Sequence, residues 1–300
     1  MKRVISLLAA VATVFSVMVF SVSSQAAGKL VVGGKGYTEQ LIMSSMTAQY
    51  LTGLGYDVDQ RDGMGSTVLR TAQLNGQIDL YWEYTGTGLV TFNKVVEKLN
   101  PEETYQRVKA LDEKVGLIWL DPSQANNTYA LAMRKDFAKE KDIESITDMM
   151  NWLQSEDGKD AQMASNVEFS ARPDGLKSLL EAYEFEMPRR NLRKMNSGLV
   201  YQALSQEVVD ITMVFATDGR VKAFDFYVLK DDRNHFPNYA LTPVVRQDSL
   251  AANPQLAEQL NVLSALMNDT TMSSLNAQVD VDGLSIERVS RQFLEQNGLL

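Results

Sequence analysis

Cysteine is absent from this chain of 300 residues, and histidine occurs only once, as His235. Without cysteine, the chain offers no disulfide, thiol nucleophile, cysteine-based zinc site or cysteine for lipid attachment. A Ser-His-Asp triad would have to use His235, and no serine or aspartate stands at an indicative spacing from it. Acidic residues are plentiful but are not grouped as metal-binding loops. We therefore expect no metal, no cofactor and no catalytic residue.

Long apolar runs and basic charge are also scarce. The only long apolar run, residues 4–22, follows Lys2 and Arg3 and precedes small residues at 23–26. This pattern predicts a signal peptide at residues 1–26 and a soluble periplasmic protein after cleavage. The alternative is an uncleaved anchor, because the run is nearly long enough to span a membrane. The net charge of −9 argues against nucleic acid or an anionic membrane as partner.

The stretch at residues 79–88 is the most informative part of the chain. A helical run at 67–74 ends at an Asn-Gly pair, and residues 78–82 have the aromatic and branched composition of a strand. The loop that follows is rich in threonine and glycine and carries Tyr84 and Thr87. A strand, a small-residue loop and a helix start predict the edge of a ligand cleft. A buried aromatic strand with an ordinary turn fits these residues equally well.

The same layout recurs at residues 203–219, 131 positions further along the chain. Asp79 aligns with Asp210, and Tyr84 aligns with Phe215. Each unit reads as helix, polar turn, strand, aromatic residue and Thr/Gly loop. The repeat predicts two similar α/β lobes, each presenting an aromatic ring at the end of a strand.

Polar breaks at residues 121–127 and 236–239 predict two crossings between these lobes. The expected division is lobe 1 at 27–125 plus 237–300, and lobe 2 at 126–236. Tyr129 and Tyr239 would then stand beside the crossings. Lys35 lies in a glycine turn between a strand at 29–32 and a helix that begins at Thr38. Arg172 lies in an expected loop, residues 168–175.

Aromatic residues at strand ends, together with cations in loops, suggest a particular kind of ligand. A box of aromatic faces attracts a quaternary ammonium, and lysine or arginine binds a carboxylate. A small zwitterion with a methylated ammonium needs both. On spacing alone, the aromatics fit a hydrophobic core and the cations fit the surface equally well.

Five motifs give the chain a family resemblance: GKGYTEQ at 34–40, YTGTG at 84–88, NNTY at 126–129, TDGR at 217–220 and FPNY at 236–239. Together they resemble the glycine betaine, choline and osmoprotectant substrate-binding proteins of ABC importers, over essentially the whole mature chain. The resemblance implies a type II periplasmic binding protein fold, in which two Rossmann-like α/β lobes are joined by two crossings.

The resemblance also implies an aromatic cage. Its rings fall on four positions: Tyr84, Tyr129, Phe215 and Tyr239. The third position is usually tyrosine in the family, so one hydroxyl is missing here while the ring face remains. Asn127 falls where a backbone carbonyl faces the ammonium methyl groups.

Family members that bind betaine hold its carboxylate with residues that match Lys35, Thr87 and Arg172. Choline binders tend to lack the lysine, so Lys35 favours a betaine. We therefore expect four rings from both lobes to converge on one pocket whose far wall is cationic.

The resulting hypothesis is a monomeric periplasmic receptor, not an enzyme, that closes around glycine betaine or a similar quaternary-ammonium solute and delivers it to an ABC transporter permease. Two alternatives remain open from the residues. One is the same fold binding choline or another small solute, such as an amino acid. The other is a secreted hydrolase that uses carboxylates.

Overall fold

The computed structural model describes residues 28–300. The expected signal peptide, residues 1–26, lies outside this range. Within it, the strands are β1 (Lys29–Lys35), β2 (Asp57–Met64), β3 (Leu80–Tyr84), β4 (Leu117–Trp119), β5 (Tyr129–Arg134), β6 (Met163–Ser165), β7 (Leu192–Lys194), β8 (Ile211–Phe215), β9 (Phe226–Val228) and β10 (Leu241–Arg246). The helices are α1 (Thr38–Gly53), α2 (Ser66–Leu74), α3 (Pro101–Asp112), α4 (Lys135–Glu140), α5 (Ile146–Leu153), α6 (Val167–Ala171), α7 (Leu176–Ala182), α8 (Leu199–Ser205), α9 (Gly219–Ala223), α10 (Gln247–Ala252), α11 (Leu256–Leu266), α12 (Asp269–Asp280) and α13 (Ile286–Gln296).

The strands form two mixed sheets with matching topology. The first sheet has the order β2-β1-β3-β10-β4, and the second has the order β7-β6-β8-β5-β9. In each sheet the first three strands are parallel, and the fourth runs antiparallel to both of its neighbours. Strands β3 and β8 hold the same central position, and their bounds differ by the 131 residues of the sequence repeat. The predicted α/β fold with two similar lobes is confirmed.

Helix α1 shows why the first lobe folds as it does. Ile42, Met43 and Met46 recur at helical spacing, and all three are fully buried between the first sheet and the C-terminal helix α13. Leu54 follows the last residue of the helix and is exposed. The apolar face of α1 thus ends where the helix ends.

Two local predictions were wrong, and one strand was not predicted. The unpredicted strand is β10, which contains Pro243; a proline has no amide hydrogen for the ladder, but the Pro243 carbonyl accepts a hydrogen bond from the Leu120 amide. The expected loop at 168–175 contains most of helix α6, which begins after an Asn166 cap. Lys35, expected in a glycine turn, is the last residue of β1.

The two crossings between the sheets are bonded to each other. Asn126 pairs with Ala240 in an isolated antiparallel bridge, and the Asn127 amide donates to the Tyr239 carbonyl at 3.1 Å. The Tyr239 amide donates in turn to the side-chain oxygen of Asn126 at 2.8 Å. The strands of each sheet fall within the ranges predicted for its lobe, while the lobe boundaries themselves stay predictions. Among residues 28–300, no helix has the length and apolar character needed to cross a membrane.

A buried ion pair anchors the first lobe. Both oxygens of Asp112, which is fully buried, accept hydrogen bonds from the Arg70 guanidinium, at 2.6 and 2.7 Å. The Trp119 indole and the Asn93 amide also donate to this carboxylate.

Replacing Asp112 with alanine leaves the Arg70 charge buried and unpaired, so we expect a loss of about 3–5 kcal/mol in the free energy of unfolding. Urea titration measures it. Asp59→Ala, which breaks an exposed pair with Arg61, is the matched control and should cost about 1 kcal/mol or less. Equal losses for the two variants would contradict the anchoring role.

Candidate functional site

A cavity of about 250 Å³ lies between the two sheets and is lined by residues of both lobes. All eight residues predicted for the site line it: Lys35, Tyr84, Thr87, Asn127, Tyr129, Arg172, Phe215 and Tyr239. Most come from strand ends or from the crossings, as the repeat and the polar breaks predicted.

Tyr129 stands at the centre of the aromatic group. It opens β5 directly opposite Phe215 of β8, and the two ring centroids are 5.2 Å apart. Tyr239 meets Tyr129 edge-on at 5.6 Å. Tyr37, which was not predicted as a site residue, stacks on Phe215 at 5.4 Å with an interplanar angle of 11°. The sequence signal that could have identified Tyr37 as a site residue is its position inside the GKGYTEQ motif.

The position of Tyr84 depends on close packing of the following loop against a crossing. A Cβ atom on Gly86 would lie 2.7 Å from the Asn238 carbonyl oxygen and 2.9 Å from the Tyr239 ring. Only glycine therefore fits at position 86, two residues after the end of β3. The chain then enters a π-helical turn, Thr87–Phe92, which begins with the buried Thr87.

The cations of the site are already paired with buried carboxylates. Lys35 Nζ lies 2.5 Å from Glu83 Oε1, and both side chains are buried. Arg172 binds Asp174 through two contacts of 2.8 and 2.5 Å. The wall expected to be cationic is therefore charge-balanced, and this expectation was wrong because the carboxylate partners were not recognised.

Arg172 also connects the two lobes. Its guanidinium donates to Thr87 Oγ1 at 3.0 Å and lies 5.6 Å from the centre of the Tyr129 ring. Tyr239 donates its hydroxyl proton to Asp174 at 2.6 Å. Burial alone would raise the pKa of Asp174, but the hydrogen bond and the charge of Arg172 outweigh it and lower that pKa. The Asp174 carboxylate therefore stays ionised.

A third carboxylate, Glu168, lines the cavity from lobe 2. It accepts hydrogen bonds from the Ser66 amide at 2.9 Å and the Ser66 hydroxyl at 2.8 Å, at the start of α2 in lobe 1. Burial would raise the pKa of Glu168, but the positive charge of Lys35 and the bonds from Ser66 lower it. No local pattern indicates this contact, because it joins residues 102 positions apart.

Asn127 has one free hydrogen-bonding atom. Its side-chain amide group donates to Glu39 Oε1 at 2.9 Å. Its side-chain oxygen is buried and has no partner among residues 28–300. The contact expected between the backbone carbonyl at this position and the ammonium methyl groups stays a prediction.

His235 does not form a triad. Its Nε2 lies 3.3 Å from Ser178 Oγ, a contact that the sequence did not indicate. Burial lowers the pKa of His235 below its ordinary value, against the opposing charge of Asp231. The Asp231 carboxylate accepts hydrogen bonds from the Tyr183 hydroxyl and the Phe236 amide, not from His235. No metal-binding group of three or more His, Cys, Asp or Glu side chains occurs in the described part of the chain.

Two α/β sheets of matching topology, joined by two crossings and enclosing a cavity, are the architecture of a type II periplasmic binding protein. The chain belongs to the family of substrate-binding domains of ABC-type glycine betaine transport systems, whose model matches residues 28–296. The family supplies the binding component of transport systems, which is not an enzyme class.

Similar proteins agree with this assignment. A glycine-betaine-binding protein of Pseudomonas aeruginosa is 42% identical over 285 residues, covering 94% of this chain and 92% of that protein. The glycine betaine-binding protein YehZ of Escherichia coli is 35% identical, with 93% of each chain covered. The solved structure of apo YehZ has a TM-score of 0.65 at 33% identity, covering 91% of this chain and 99% of that one. A glycine betaine/carnitine/choline ABC transporter structure reaches a TM-score of 0.72 at 27% identity, with the same coverage.

Proposed function

We propose that this protein is a periplasmic receptor that captures a quaternary-ammonium solute, glycine betaine or a close analogue, and delivers it to the permease of an ABC importer. One observation carries the proposal: Tyr84, Tyr129, Phe215 and Tyr239, from both lobes and a crossing, line a single cavity. Two similar proteins named for glycine betaine binding support the choice of ligand.

The chemistry of the cage explains why such a ligand fits. A quaternary ammonium has no N–H group and cannot donate a conventional hydrogen bond. It is held by the negative faces of aromatic rings, and each contact gains strength when water is excluded. Among the four rings, Tyr84, Tyr129 and Tyr239 are buried and Phe215 is half-buried.

The polar end of the ligand distinguishes two candidates. Lys35, Thr87 and Arg172 offer donors to a carboxylate, which favours a betaine. Their pairing with Glu83 and Asp174, together with the third carboxylate Glu168, instead favours a ligand of net positive charge such as choline. We propose a betaine as the principal ligand and choline as the second candidate.

Isothermal titration of the mature protein with glycine betaine, choline, carnitine, proline betaine and ectoine tests this proposal. Saturable binding of a quaternary ammonium, with the ligand recovered unchanged, is the expected result. The proposal would be overturned if none of these compounds bound and the protein instead bound an amino acid or organic acid that has no ammonium methyl group. Turnover of a bound ligand would instead support the hydrolase alternative.

Lys35→Ala is expected to weaken glycine betaine about tenfold more than choline, because only betaine has a carboxylate to lose its charge-assisted bond. The substitution also leaves Glu83 unpaired. The double variant Lys35→Met with Glu83→Gln removes both charges and should keep the same difference between the ligands. Equal losses for betaine and choline, measured by titration, would remove Lys35 from the carboxylate site.

We further propose that the chain is exported, cleaved after Ala26 and monomeric. The mass of the protein recovered from the periplasm reports the cleavage site, and sedimentation analysis reports the oligomeric state. A full-length chain that remains with the membrane would support the uncleaved anchor instead.

A further inference from the structure

Glu39 is a buried carboxylate with no directly bonded cationic side chain among the described residues. It lies in the first turn of α1 and is only 3% exposed. No Lys, Arg or His nitrogen of residues 28–300 lies within 4.0 Å of its oxygens. Arg220, which lines the same small hollow, is bonded to Asp218 and Asp280 instead.

Four hydrogen-bond donors hold this carboxylate. Oε1 accepts from the Tyr84 hydroxyl at 2.8 Å and from the Asn127 amide at 2.9 Å. Oε2 accepts from the Thr217 hydroxyl and from the Asn276 amide, the latter at 3.2 Å. A carboxylate has about four lone-pair sites, and these four bonds favour its ionised form. Burial raises the pKa of Glu39 above its ordinary value, and the bonds from the four side chains limit that rise.

The donors connect Glu39 to the candidate site. Tyr84 and Asn127 line the cavity and turn their polar groups toward Glu39, on the side away from it. A buried ion without a partner is costly. The Lys35 ammonium lies 5.0 Å from the centre of the Tyr84 ring, but it is paired with Glu83. A ligand cation over the same ring would add a counter-charge for Glu39 at the distance of one phenol.

We propose that Glu39 determines the specificity of the site for a cation, with the ligand's ammonium group acting as its counter-charge. This inference rests on the proposed function, since it concerns the same ligand. Glu39, which lies outside the cage, would then be the residue that discriminates a quaternary ammonium from an uncharged group of the same shape. The cation–π contacts of the ligand are then reinforced by the full negative charge of the Glu39 carboxylate.

The test compares each ligand with its carbon isostere: choline with 3,3-dimethylbutan-1-ol, and glycine betaine with 3,3-dimethylbutanoate. The quantity measured by titration is the ratio of the two affinities. Glu39→Gln should lower this ratio about tenfold, the effect of one charge at cage distance in a partly buried site. Asn276→Lys, which supplies a protein counter-charge beside Glu39, should lower the ratio equally and provides the test if Glu39→Gln does not fold.

Two further variants separate charge from structure. Thr217→Val removes a hydrogen bond to Glu39 without changing its charge, so it should weaken each ligand and its isostere to the same extent. The swap Glu39→Gln with Asn276→Asp returns a carboxylate to the cluster and should restore the ratio. An unchanged ratio in Glu39→Gln or in Asn276→Lys, or a swap that restores nothing, would overturn the inference. Failure of the unaltered protein to bind either ammonium ligand would instead overturn the proposed function.

Discussion

Tyr129→Ala is expected to reduce the affinity for glycine betaine and for choline by at least about 100-fold, because Tyr129 is the central ring of the cage. Its ring lies within 5.6 Å of both Phe215 and Tyr239, so its loss removes one cation–π face and the support of two others. A desolvated cation–π contact is worth about 2 kcal/mol or more, and loss of one face with misplacement of another accounts for the expected factor. Titration with each ligand measures it.

The controls must separate the cage from stability, because removing a buried tyrosine also costs about 3–5 kcal/mol in the free energy of unfolding. Tyr129→Leu keeps most of the apolar bulk but has no aromatic face, and should lose binding nearly as completely. Phe224→Ala, at a partly exposed ring that does not line the cavity, should leave affinity unchanged. Retained affinity in a folded Tyr129→Leu protein would refute the cage.

Arg172→Ala is expected to have an effect of similar size, about 100-fold, on both ligands. The substitution removes the contact with Thr87 that joins the lobes and leaves Asp174 buried without its cation. Breaking a buried pair by removing one partner typically costs about 3–5 kcal/mol. The lost contact with Thr87 joins the two lobes, so its part of the cost falls on the closed, ligand-binding form. Titration measures the loss of affinity, and thermal unfolding measures the loss of stability of the unliganded protein.

A charge-neutral double variant separates the two causes of this loss. Arg172→Met with Asp174→Asn leaves no buried charge unpaired, and choline affinity should recover to within about tenfold of the original protein. Betaine affinity should stay low, because the donor to its carboxylate is gone. Arg190→Ala, at an exposed arginine of lobe 2, should change neither affinity. If betaine recovers as fully as choline, Arg172 has no part in binding the carboxylate.

The features that the sequence predicted correctly are those carried by local order along the chain. Tyr84 and Phe215 were found because two strands with the same flanking pattern recur 131 residues apart, and the matching sheets confirm the repeat. Tyr129 and Tyr239 were found because each follows a polar break. The resemblance to known binding proteins then brought these positions together in one site.

The features that the sequence missed depend on contacts between distant segments. Glu39 and Glu168 find their donors in other parts of the fold, up to 237 positions away in the case of Asn276. Glu83 sits next to a predicted site residue, but only the pairing of β1 with β3 brings it to Lys35. Strand β10 was not predicted: it contains Pro243, which is unusual in a central strand, and burial on both faces stabilises it in the sheet.

The bonding of the two crossings to each other has a mechanical consequence. Two connecting segments that share a backbone bridge and a side-chain bond behave as a narrow ribbon, which resists twisting and sliding but can flex across its width. The lobes would therefore open by a hinge motion about the two crossings. Tyr129 and Tyr239 both lie at this hinge, so they would remain neighbours when the lobes separate. Phe215 would stay with them, because it lies opposite Tyr129 in the second sheet. An arriving solute would therefore meet these three rings first, and closure of the lobes would bring Tyr84 against it.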